Sequence, residues 1–295
     1  MSEIVTRLAP AKLNLALHVT GRREDGYHLI ESLVAFADFG DTITVSRADA
    51  DEFIVTGHYA PMVPINEGNL VLAARDMLRE HFPEQELGPV RIALEKRLPV
   101  ASGVGGGSSD AAATLKALSA LWGLAPDLDA IAARAVPLGA DIPMCIAARP
   151  LVAGGVGDVL SPLEEFPEIN AVLVNPGLPV STPEVFRTLE SRENPALPCP
   201  PRVSDAGVLS DYLAGTRNDL QAAAIALCPM IADALDSLEA NDALAARMSG
   251  SGATCFGLFD NPGPAAAAAD AIARQHPGWF VETCRIMGAE NHARN

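Results

Sequence analysis

Leu98-Pro99-Val100-Ala101-Ser102-Gly103-Val104-Gly105-Gly106-Gly107-Ser108-Ser109-Asp110 sets four glycines and three serines ahead of an Ala- and Leu-rich run that reaches Trp122 without Gly or Pro. The run predicts a helix from Ser109 to about Trp122, opened by Ser-Ser-Asp. Glycines let the main chain adopt positive φ and approach a ligand closely, so backbone N–H groups can converge on phosphate oxygens. The helix adds roughly half a positive charge at its amino terminus. A side chain at Gly106 is expected to stand where backbone must meet phosphate. The segment lacks the Gly-Lys-Ser/Thr ending of a Walker loop, and Ser108 stands where a dinucleotide fingerprint needs Gly or Ala. On glycine content alone, a phosphate loop and a flexible turn remain equal alternatives.

Upstream, Arg91-Ile92-Ala93-Leu94 reads as the strand that feeds this loop. Alternating Leu13, Leu15, Leu17 and Val19, then Ile43-Thr44-Val45 and Phe53-Ile54-Val55, predict an opening sheet, and a helix begins near Asn69. Downstream come a helix over 128–135 and a strand at Leu151-Val152-Ala153. Pro- and Gly-containing segments around 161–168 and 194–201 punctuate the second half. A strand at Ala171–Val174, helices at 219–240 and 264–275, and strands at Ala253–Phe259 and Phe280–Ile286 complete it. The expectation is an α/β (α+β) chain of two domains, 1–160 and 161–295.

At 295 residues, with 49% apolar and 20% charged residues, the chain can build packed cores. A formal charge of −16 argues against nucleic acid as partner, since that binding relies on Lys and Arg displacing counterions. One locally positive loop can still hold a small anion. The five cysteines are widely spaced and form no C-x-x-C pair, which predicts buried free thiols rather than a disulfide scaffold or zinc cage. The start, Met1-Ser2-Glu3-Ile4-Val5-Thr6-Arg7, has no secretory pattern, and no apolar stretch approaches membrane-spanning length. These features predict a cytoplasmic protein without a membrane partner, and leave the oligomeric state open.

Three segments in order resemble the GHMP kinases (galactose, homoserine, mevalonate and phosphomevalonate kinases and relatives): Pro10-Ala11-Lys12-Leu13-Asn14-Leu15, the Pro99–Ser109 loop, and Met248-Ser249-Gly250-Ser251-Gly252-Ala253-Thr254. Within the family, Thr20-Gly21, Asp25-Gly26-Tyr27-His28 and Gly139-Ala140-Asp141-Ile142-Pro143 are similar to a branch that phosphorylates a cytidine diphosphate-linked polyol. Ser102 and Val104 depart slightly from the usual loop. The resemblance implies a ribosomal-S5-like amino-terminal domain and a ferredoxin-like carboxy-terminal domain, with ATP and Mg²⁺ as cofactors. It further implies that Pro99, Val100, Ala101, Ser102, Gly103, Val104, Gly105, Gly106, Gly107, Ser108 and Ser109 hold the nucleotide phosphates, and that Asn69 lies at the adenine. Tyr27 and Phe186 would stack on a pyrimidine whose edge His28 reads, with Asn14 and Thr182 also at the substrate. Metal ligands are not identifiable.

Phosphoryl transfer needs an oriented hydroxyl, a proton acceptor and positive charge. Asp141 fits the acceptor, on a turn where Pro143 is expected to keep Ile142 out of helical conformation. Lys12 shares a strand face with Asn14 and Ala16, and its ammonium would neutralise charge developing on the attacking oxygen. Taken singly, a solvated turn aspartate, a surface lysine and a Tyr27-His28 core pair are the alternatives.

Overall fold

Two long antiparallel strands, β1 (Ile4–Arg22) and β2 (His28–Arg47), form the spine of the computed structural model, which describes residues 3–125 and 127–289. Met1, Ser2, Pro126 and the tail beyond Ala289 lie outside the described residues. The pairing of β1 with β2 shifts register between Pro10 and Lys12 and again between Asn14 and Ala16. The first shift leaves two extra residues on β2 and the second one extra residue on β1, and such irregularities increase the local twist. Both faces of β1 are buried around these shifts, from Ala9 to Val19.

Strand β3 (Glu52–Thr56) runs parallel to β4 (Val90–Glu95), which pairs antiparallel with β2, while α1 (Leu70–His81) crosses between them. Asn69 caps α1, its side chain accepting from Val71 N at 2.8 Å, which is why that helix begins where the sequence predicts. After β4 come α2 (Gly106–Trp122), α3 (Leu128–Ala135) and α4 (Ile142–Ala147), then β5 (Leu151–Gly154) and β6 (Val159–Pro162). β5 pairs with β2 and β6 with β5, so β6 crosses residue 160 as part of this first sheet. One apolar core joins the helices to it, with Phe36, Ile43, Ile92, Leu118 and Leu78 almost fully buried.

The second sheet comprises β7 (Ile169–Asn175), β8 (Ala245–Met248), β9 (Cys255–Phe259) and β10 (Phe280–Ile286), in the order β10-β7-β9-β8, all antiparallel. Between β7 and β8 lie α5 (Thr182–Thr188), α6 (Ala206–Ala214), α7 (Gln221–Leu227) and α8 (Met230–Glu239), and α9 (Pro262–Gln275) joins β9 to β10. This is the βαββαβ pattern of ferredoxin-like layers, with extra helices in the first crossover. The two sheets meet where Ala37 of β2 pairs with Ile286 of β10.

Three local expectations are corrected. Helix α2 starts at Gly106, three residues before the Ser109 opening, because Gly105 takes a left-handed φ of +64° and turns the chain directly into helix. Ile142 is the first residue of α4, with Pro143 in the first turn, where its missing N–H breaks no helical bond. The 219–240 helix is two helices, α7 and α8, separated at Cys228-Pro229 because Pro229 cannot donate to the preceding turn. Strands β6 and β8 and helices α5 and α6 were not singled out by the sequence. All five cysteines are free, four buried and Cys199 exposed, and no helix among the described residues is long and apolar enough to cross a membrane.

Candidate active site

Between the two register shifts Lys12, Leu13 and Asn14 pair regularly with β2, so the alternation of the strand puts Lys12 and Asn14 on the same side of β1. Lys12 Nζ donates to Asn14 Oδ1 at 2.7 Å, and Asn14 Nδ2 donates to Ser32 Oγ at 2.7 Å, which in turn donates to the Ala16 carbonyl. Lys12 also lies 3.1 Å from Asp141 Oδ2, its own side chain 6% exposed and that of Asp141 38%. A nearly dry ammonium therefore faces a carboxylate that still reaches solvent. Ala140 and Asp141 precede α4, so the carboxylate sits on a turn fixed by helix initiation.

Gly105 passes directly over this pair. A Cβ there would stand 3.0 Å from Lys12 Cε and 3.9 Å from Asp141 Oδ2. The loop is clamped from the second domain: Ser249 Oγ donates to the Gly103 carbonyl at 2.9 Å and accepts from Asn14 N at 3.0 Å, while Thr254 N donates to the Ser102 carbonyl at 3.0 Å. A Cβ on Gly103 would collide with the Ser249 carbonyl. Asn218 fixes the clamp, its Nδ2 donating to the carbonyls of Met248 and Gly250 at 2.7 and 2.9 Å.

A cavity of about 910 Å³ opens in front of the loop. Lys12, Asn14, Asp141, Ala101, Ser102, Gly103, Gly105, Gly106, Gly107 and Ser108 line one side, and Tyr27, His28, Thr182 and Phe186 the other. A second cavity of about 150 Å³ lies behind the loop, lined by Asn69, Pro99, Val100, Ala101, Gly106 and Gly107 among others. The Asn69 amide is engaged in capping α1 and in a 2.6 Å bond to the Pro64 carbonyl. Val104 is in the core, and its carbonyl accepts from Lys12 N at 2.9 Å. Ser109 donates to the Pro10 carbonyl at 2.6 Å. Neither of these two side chains faces a cavity, because the earlier start of α2 turns Ser109 inward. Gly106 also differs from expectation: its Cβ would point toward Lys96 Nζ, 3.1 Å away, rather than toward the cavity.

His28 stacks on Phe186 with ring centroids 4.6 Å apart and planes 22° off parallel. Its Nε2 is buried without a hydrogen-bond partner. Burial, then the charges of Arg22 and Arg192, hold this imidazole below its ordinary value, so at neutral pH it is uncharged. Tyr27 is 63% exposed at the rim. Four cationic side chains, Lys12, Arg22, Arg187 and Arg192, line the main cavity against two acids, Asp25 and Asp141, making it locally positive in an acidic chain. Sequence reasoning did not single out these arginines, which belong to no compact motif. Gly250 and Ser251 also line the cavity and lay within a recognised motif.

Family models describe the same two halves: "GHMP kinases N terminal domain" matches residues 69–149 and "GHMP kinases C terminal" matches residues 203–278. A protein of Mesorhizobium japonicum named 4-diphosphocytidyl-2-C-methyl-D-erythritol kinase is 54% identical over 282 residues, covering 96% of each chain. One of the same name from Brucella melitensis is 54% identical over 281 residues, covering 94% of this chain and 93% of the other. A crystal structure of 4-(cytidine 5'-diphospho)-2C-methyl-D-erythritol kinase superposes with a TM-score of 0.77 at 36% identity, covering 95% of this chain and 98% of that one. Homoserine kinase from Cytophaga hutchinsonii shares the fold, with a TM-score of 0.74 at 17% identity over 98% of this chain and 96% of the other. With relatives more than half identical over nearly its full length, and with family models matching in both halves, the chain belongs to the GHMP kinase family and has its two-domain fold.

Proposed function

We propose that this chain transfers the γ-phosphate of ATP to the 2-hydroxyl of 4-diphosphocytidyl-2-C-methyl-D-erythritol, a step of the non-mevalonate isoprenoid route, in the cytoplasm. The observation that carries the reading is one cavity with the Lys12–Asp141 pair under Gly105 at one end and the Tyr27, His28 and Phe186 rings at the other. A substrate carrying both a base and a reacting hydroxyl fits a cavity lined by both groups.

Asp141 takes the hydroxyl proton as the oxygen attacks the γ-phosphorus. Lys12 neutralises the charge that develops on that oxygen and on the transferring group. The loop from Ala101 to Ser108 positions the phosphates by backbone N–H groups and the start of α2. Tyr27 and Phe186 enclose the cytosine, the neutral His28 offers its free Nε2 to the ring edge, and Arg22 and Arg192 supply positive charge for the diphosphate. Among the described residues no cluster of three or more His, Cys, Asp or Glu side chains forms a ready metal cage. Mg²⁺ would therefore be held mainly by phosphate oxygens and water, with Asp141 the carboxylate beside the loop, and would neutralise phosphate charge. The domain division at 160 belongs to this reading too, moved to the β6–β7 connection because β6 pairs with β5.

An ATP-coupled assay over a panel of alcohols tests the reading. Turnover of the cytidine diphosphate compound, with little on free methylerythritol, homoserine or mevalonate, is expected. Preference for any of the latter would move the chain to another branch of the family.

A further inference from the structure

Beneath the glycine loop lies a charged cluster that phosphoryl transfer, as described, does not use. Lys96 Nζ donates to Asp41 Oδ2 at 2.5 Å and to Asp110 Oδ2 at 2.7 Å. Asp41 Oδ1 accepts in addition from the backbone N–H groups of Arg97 and Leu98, at 2.6 and 2.8 Å. Asp110 Oδ1 is buried with no hydrogen-bond partner. All three residues are at most 3% exposed.

The cluster ties together the two ends of the loop. Lys96, Arg97 and Leu98 belong to the chain entering it from β4, and Asp110 lies on α2, which leaves it. A Cβ on Gly106 would stand 3.1 Å from Lys96 Nζ and 3.6 Å from Asp41 Oδ2, so the cluster touches the loop's underside. Lys96, Asp110, Gly106 and Gly107 also share the walls of the smaller cavity.

Two carboxylates here divide one ammonium in a site that is almost wholly buried, and in such a place they do not both ionise readily. Asp41 has three donors and is the better stabilised anion. Asp110 has one, and is the member that retains a proton. Burial pushes Asp110 up to about 8, with Lys96 opposing and Asp41 reinforcing the shift. The other titratable group in its surroundings, Cys145 on α4, is pushed up to about 12 by burial and stays neutral. With Asp110 protonated the cluster carries no net charge. Ionised, it would carry one negative charge directly under a loop whose backbone dipoles attract anions, and would offset the positive end of α2.

We propose that Asp110 is a positioning residue for ATP: held as a neutral acid with Lys96 and Asp41, it joins both ends of the glycine loop without placing negative charge beneath the phosphates. The proposal rests on the reading of that loop as the ATP-phosphate site. ATP affinity should then fall as the pH rises past the point where Asp110 loses its proton.

The test is the dissociation constant of Mg·ATP, measured by calorimetry on the full chain between pH 7.5 and 10, for the native protein and for Asp110→Asn. The second pKa of a phosphate monoester is about 6, so the ligand's charge is nearly constant across this range. The native protein should lose about tenfold in affinity, the scale of like-charge repulsion at a few ångströms in a partly shielded site, with a midpoint near 8. Asp110→Asn keeps the shape and an acceptor for Lys96 but cannot ionise, and its affinity should drift less than about twofold over the same range. Parallel slopes in the two proteins would overturn the proposal while leaving the loop reading intact. ATP binding that is indifferent to Gly107→Val would remove the loop reading and this inference with it. Should Asp110→Asn not fold, infrared difference spectra of the native protein decide instead: the band of a buried protonated carboxyl must be present at pH 7.5 and gone at pH 10, and its absence at pH 7.5 sinks the idea.

Discussion

Lys12 Nζ stands 3.1 Å from Asp141 Oδ2 and 2.7 Å from Asn14 Oδ1, so one ammonium links the carboxylate that faces the cavity to an amide held inside β1. Through Asn14 and Ser32, both strands of the long hairpin fix where that ammonium sits.

Asp141→Asn keeps the size of the side chain and removes the proton acceptor. Loss of a general base typically costs about 10²–10⁴ in rate, so steady-state kinetics should show kcat down by that range with KM for ATP little moved. A folded variant with near-native kcat would exclude the role. Lys12→Ala should likewise act chiefly on kcat, because its charge matters most as the hydroxyl becomes an alkoxide.

Gly107 is the loop glycine best suited to test phosphate binding, since it borders both cavities and its Cβ would meet only Leu70 Cδ1, at 3.6 Å. Gly107→Val replaces a poor helix former at the start of α2, so Tm should hold or rise. ATP affinity should nevertheless fall about tenfold or more, the equivalent of one lost charge-assisted hydrogen bond, as read by titration calorimetry.

The imidazole of His28 should titrate below 6.5 in NMR spectra, because its pocket resists the proton. As the pH falls under 6.5 the unfolded chain takes up a proton that folded His28 does not, so this residue's contribution to stability is present above that pH and declines below it. Arg192→Met removes one of the two opposing charges and should move the midpoint upward. An unchanged midpoint in the variant would show that Arg192 does not help to set it.

Stacking of a base on an aromatic side chain is worth about 1–3 kcal/mol, so Tyr27→Ala and Phe186→Ala should each raise KM for the cytidine compound while sparing ATP. Phe186→Ala should have the larger effect, since it also removes the ring on which His28 rests. The uridine analogue should be a poor substrate because its edge exchanges a donor for an acceptor at a buried nitrogen. Equal kcat/KM for the two compounds would sink the assignment.

What the sequence revealed of this site came from residues that lie close together in it. The helix beginning near Asn69, the helix over 128–135 and the strand at 280–286 follow from local chemistry and stand where expected. The start of α2 was misplaced because Ser109 and Asp110 look like caps, whereas the left-handed turn at Gly105 has no side-chain signature. Pro229 was visible within 219–240 and marks the break between α7 and α8. By contrast, Asp41 is on β2, Lys96 directly follows β4 and Asp110 is on α2, and only the folding of these parts onto one another makes a cluster of them. Arg22 and Arg192 reach the same cavity by an equally nonlocal route.

The hydroxyl of Ser249 bonds at once to Asn14 N and to the Gly103 carbonyl, so one atom near the carboxy-terminal end secures two segments made long before it. During synthesis the ribosome completes the glycine loop and Lys12 well ahead of that serine. A nascent chain stalled before residue 249 thus carries the β1 segment and the glycine loop without the serine that ties them together. On the proposed reading of the loop, competence for ATP would be a late event in the life of each molecule, reached when the second sheet has been translated and has docked.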